Sequence, residues 1–68
     1  MELKEWIKKQ SPEKQEQFFM KAARFFSSRE LTDIIKLVNS GYSLYSAHLK
    51  SGVLDRYTVD LNNLRRSI

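Results

Sequence analysis

A chain of 68 residues with no cysteine, one histidine and two glycines has room for a single core. It excludes a disulfide framework, a zinc site needing about four Cys/His ligands and a glycine-rich phosphate loop. Twelve Lys/Arg against eight Asp/Glu give a net charge of +4, an excess that suits phosphate neutralisation but equally describes an ordinary basic domain.

The first helix is predicted over 2–10, where Leu3, Trp6 and Ile7 fall at helical spacing. Ser11 is a good N-cap for the next helix, Pro12 suits its first position, and Glu13 favours the positive end of its dipole. That second helix is expected to run from Pro12 to about Phe26. Phe18, Phe19, Ala22, Ala23, Phe25 and Phe26 cover one broad arc of it, opposite Lys14, Gln17, Lys21 and Arg24. So wide an apolar face marks a central helix. It also leaves open a dimer seam on part of that face.

Ser27-Ser28-Arg29-Glu30 reads as a capping box, with Phe26 and Leu31 placed as its hydrophobic staple. Leu31, Ile34, Ile35, Leu37 and Val38 are expected to be the buried face of this third helix, which Asn39-Ser40-Gly41 stops. Tyr42 to Lys50 reads as a fourth, with Leu44, Tyr45, His48 and Leu49 on one arc. After the turn Ser51-Gly52-Val53, the 3, 4, 3, 4 spacing of Leu54, Tyr57, Leu61, Leu64 and Ile68 predicts a fifth helix. A rival reading makes Arg56 to Leu61 a strand paired across a dimer, because Tyr57, Val59 and Leu61 also alternate. The expected fold is all-α: a compact single-domain bundle (1–68) of four to five short helices with a helix-turn-helix-like C-terminal half.

Enzymatic chemistry fails on inventory. His48 is the only imidazole, its helical neighbours are Leu44 and Tyr45, and a packed histidine is the natural reading. A serine nucleophile would need a base, an orienting acid and an oxyanion hole, and no pattern supplies them. No metal or other cofactor, and no small-molecule substrate, is expected. A charged N-terminus and the lack of any long apolar run predict a soluble, cytoplasmic protein with no membrane partner.

Leu31 to Arg66 has the general layout of a helix-turn-helix: a supporting helix, a short helix, a Gly52-containing turn and a longer second helix. In such motifs the second helix enters the DNA major groove. Arg56, Val59, Asn62, Asn63 and Arg66 point outward on the predicted wheel. Arg56 would pair with guanine, Asn63 with adenine and Val59 with a thymine methyl, while Arg65, Arg66, Lys36 and Lys50 would serve phosphates. The function expected on this basis is DNA binding by a regulatory or accessory protein, dimeric in solution because so short a chain lacks other stabilisation. The alternative is a protein-interaction module, an inhibitor or adaptor, anchored by Trp6, Met20 and exposed parts of Phe19 or Phe26.

Overall fold

The computed structural model describes all 68 residues, and local signals set most of its element boundaries. Helix α1 spans Leu3–Lys9 and buries Leu3 and Ile7, one turn apart. Its last carbonyls find side-chain partners: Gln10 Nε2 donates to Trp6 O at 3.1 Å, and Gln15 Nε2 to Ile7 O at 2.8 Å. Helix α2 spans Pro12–Ala22, with Ser11 Oγ accepting from the Lys14 N–H and proline at the first position.

The second helix stops short of Phe26. Residues Ala23–Phe25 tighten into a 3-10 turn, and Phe26 is extended at φ −92°, ψ 148°. The physical reason is the next cap. Ser27 must be non-helical to cap α3 (Ser28–Asn39), so the chain leaves the helix one turn early. The box is complete: Ser27 Oγ accepts from the Glu30 N–H at 3.2 Å, and Glu30 Oε1 from the Ser27 N–H at 2.7 Å. At its far end Gly41 takes φ +103°, its N–H bonds Val38 O, and the Tyr42 N–H bonds Leu37 O. This is the Schellman arrangement that only a residue tolerant of positive φ completes cheaply.

Helix α4 (Leu44–Lys50) starts after Ser43, whose Oγ accepts from the Ser46 N–H. Gly52, at φ +84°, turns the chain into α5 (Val53–Arg56), and α6 runs over Thr58–Arg66. The expected fifth helix is therefore two helices, broken at Tyr57 (φ −112°, ψ 30°), and residues 56–61 form no strand. Thr58 Oγ1 donates to Leu54 O at 2.8 Å and to Asp55 O at 3.0 Å, occupying carbonyls at the end of α5.

The core joins Leu3 and Ile7 of α1, Phe18, Phe19 and Ala22 of α2, and Phe26, Ile34, Ala47, Val53, Leu54, Leu61 and Leu64. Phe18 is its centre, edge-on to Trp6 at 5.2 Å and to Phe19 at 5.6 Å. The third helix departs from expectation. Ile34 is buried, but Ile35 is 60% exposed and Val38 39%. Helix α3 packs chiefly on α4, so one neighbour covers one side and the far edge of its apolar arc stays bare. The architecture is all-α, and no helix is long and apolar enough to cross a membrane.

Candidate nucleic-acid interface

The α4–turn–α5/α6 unit positions all of the predicted contact residues but Lys36, which lies on α3, and the structure divides them into three groups. Val59, Asn63 and Arg66 form the first. They stand at i, i+4 and i+7 of α6, all exposed, and therefore share one helix face. Leu61 and Leu64 hold that helix to the core from the other side. Val59 is 74% exposed, an aliphatic side chain in water among amides and guanidinium groups.

The second group sits beside this face and is partly engaged. Asn62 is half-buried, and its Oδ1 is buried with no hydrogen-bond partner. Arg65 is half-buried, and its Nη2 donates to Met1 O at 2.9 Å. These residues line a groove of about 560 Å³ between the start of α1 and α6. At its rim half-buried Lys4 pairs with exposed Asp55 at 2.8 Å, linking α1 to α5.

The third group does not join the α6 face. Lys36 and Lys50 are exposed on α3 and α4, with Lys50 Nζ 5.1 Å from the Tyr42 ring centroid. Arg56 is engaged as well. Its side chain points outward and is 57% exposed, but its guanidinium also makes an ion pair with Glu30. Tyr57 OH donates to the same carboxylate at 2.7 Å. Successive side chains of a regular helix diverge by roughly 100°, so the break at Tyr57 is what lets both converge on one carboxylate. Glu30 thus ties the α3 cap to the α5–α6 junction. The Tyr57 hydroxyl foremost, then the Ser27 N–H and the Arg56 guanidinium, hold its carboxyl down to about 2 against the opposing effect of burial.

The expected partner anchors are also redistributed. Phe19 and Phe26 are 3% and 8% exposed, so the exposed parts foreseen for them are absent; both rings pack with His48. Trp6 is half-buried against Phe18, and Met20 alone of the four is open, at 70%. Sequence periodicity missed Ile35 and Val38 as surface groups, and gave no sign of the Glu30 junction.

His48 is the packed histidine its neighbours predict. It is 4% exposed, stacked on Phe19 at a centroid distance of 3.8 Å, with Nδ1 2.7 Å from Leu44 O. A carbonyl can only accept, so Nδ1 carries the proton. Burial pushes the imidazole pKa below its usual 6.5, partly offset by that carbonyl. A lowered folded value means that stability is fully present above the unfolded pKa and is lost as pH falls below it. As the chain has one histidine, its ring-proton resonance is unambiguous. We expect it to titrate below 6.5 in the native protein, and a midpoint at or above that value would contradict the packing described.

Comparison with protein-family models, with curated proteins and with solved structures finds no match to this chain. Its chemistry must be argued from its own surface.

Proposed function

We propose that this protein binds duplex DNA through the exposed face of α6, in a regulatory or accessory role. The observation that carries the reading is the stripe Val59, Asn63, Arg66, presented after a short helix and a left-handed Gly52 turn. An exposed valine suits a thymine methyl, an asparagine suits adenine, and arginine suits guanine or phosphate. Asn62 and Arg65 flank the stripe, and Lys36 and Lys50 are free to meet phosphates further along the duplex. Arg56 is assigned a supporting role, holding the α5–α6 junction through Glu30.

Fluorescence anisotropy with a random duplex at two salt concentrations tests this. Binding should weaken steeply with salt, by a slope of about 0.9 per phosphate contact. Arg66→Ala should weaken binding and reduce the slope by about one. No binding at low salt would end the proposal.

A protein partner is the second reading, favoured by one observation: Met20 and Ile35 are 70% and 60% exposed on a very small domain. Light scattering coupled to size exclusion separates a self-dimer from a monomer. A dimer abolished by Ile35→Glu would favour it.

A further inference from the structure

Helix α2 carries a basic face that the α6 contact leaves unused. Lys14, Gln17 and Lys21, with Arg24 in the 3-10 turn that follows, recur at 3, 4, 3 spacing and are all exposed, so they form one stripe. Phe18, Phe19 and Ala22 hold the other side of the helix in the core. None of the three cations is ion-paired, because the protein's two ion pairs are Lys4–Asp55 and Arg56–Glu30. The Arg24 guanidinium lies 5.0 Å from the centroid of the Phe25 ring, which steadies it at the surface. Helix stability explains Lys21 and Arg24, near the negative end of the dipole, but not Lys14, a cation in the first turn.

The chemistry of the stripe suits a row of phosphates. Lys14 and Arg24 stand about 15 Å apart along the helix, at roughly 1.5 Å per residue. A duplex laid alongside presents about four phosphates of one strand over that length, one per about 3.4 Å. An acidic protein would want an apolar anchor at the centre of its contact. The centre here is Gln17, and Met20, the exposed apolar residue of the helix, lies off the stripe in line with Glu13. Helix α2 packs on α6, and both bury side chains in the same core. Their exposed stripes therefore turn away from each other. The body between them is 17 Å across at its thinnest, beyond the Debye length of about 8 Å at physiological salt, so duplexes on both sides scarcely repel. We propose that the α2 stripe holds a second duplex, so that one molecule bridges two segments of DNA. The proposal rests on the α6 reading for the first duplex.

Two short duplexes, one carrying a donor dye and the other an acceptor, test this in a titration at low salt. Bridging gives sensitised emission that rises with protein and falls again once protein exceeds duplex, because each duplex then has molecules of its own. Exchange of all three cations for glutamine (Lys14→Gln, Lys21→Gln, Arg24→Gln) keeps good helix formers at exposed positions, so this variant should fold as the parent does. It should abolish the sensitised emission while the duplex-induced shifts at Val59, Asn63 and Arg66 persist. Three phosphate contacts also predict that affinity for the second duplex falls roughly 40-fold between 50 and 200 mM salt. Emission unchanged in the triple variant would overturn the proposal, as would binding of the labelled duplexes without any emission. Shifts at Lys21 and Arg24 with poly-glutamate but not with duplex would give the stripe to an acidic protein instead. Anisotropy with one labelled duplex keeps the two readings apart: one duplex bound and none bridged removes the α2 proposal and leaves the α6 reading standing.

Discussion

Glu30→Gln is expected to loosen the C-terminal third of the protein more than any other polar substitution. The carboxylate of Glu30 accepts from the Ser27 N–H and Tyr57 OH, and pairs with Arg56, in a residue only 8% exposed. A neutral amide has one acceptor oxygen in place of two and turns an NH2 toward donors. The Ser27 N–H and Tyr57 OH already share Oε1, which an amide can keep, whereas the new NH2 takes the place of Oε2 and loses the ion pair with Arg56 at the α5–α6 junction. The thermal midpoint should fall, with hydrogen-exchange protection lost first in α5 and α6. An exchange pattern unchanged in those helices would show that the junction is held by its apolar contacts alone.

The pH dependence has the same origin. The folded carboxyl lies near 2, below its ordinary 4.5. A depressed folded value gives stability that is present above the unfolded pKa and lost as pH falls through the folded one. The parent should therefore lose stability between about pH 4.5 and 2, and Glu30→Gln should show a shallower loss across that window. His48 is the same in both proteins, so its contribution cancels in the difference between them.

Phe18→Ala should have the largest effect of any apolar substitution. Phe18 is 1% exposed and lies between Trp6 and Phe19 at the meeting of α1 and α2. Truncating a buried phenylalanine costs about 3–5 kcal/mol. A domain of this length has a total of roughly 3–10 kcal/mol, from ~0.05–0.15 kcal/mol per residue, so the variant should be largely or wholly unfolded in urea concentrations that the parent survives. Met20→Ala, two residues on but 70% exposed, should change stability by less than about 0.5 kcal/mol. Similar urea midpoints for Phe18→Ala and the parent would contradict the placement of the core.

What the residues alone reveal here is local. Ser11, Ser27 and the Ser27–Glu30 box are readable because a cap satisfies its own chain within a few residues. His48 is readable because its helical neighbours are apolar. Ile35 and Val38 mislead because periodicity reports which face is apolar, not how many neighbours exist to cover it. The break at Tyr57 carries no glycine or proline to announce it. Its partner is a carboxylate 27 residues earlier in the chain, and a helical pattern in Leu54, Tyr57, Leu61 and Leu64 conceals it. Arg56 looks like a base reader for the same reason: its engagement with Glu30 spans 26 residues. The buried, unpartnered Oδ1 of Asn62 is likewise a property of the packed fold that periodicity does not report.

The claim that α6 presents the DNA-contacting face is tested most directly by amide chemical-shift mapping with a random duplex at low salt. The shifts should concentrate at Val59, Asn63 and Arg66, reach Lys36 and Lys50 more weakly, and vanish as salt is raised. Shifts absent throughout, or confined to the Ile35–Val38 edge of α3, would contradict it.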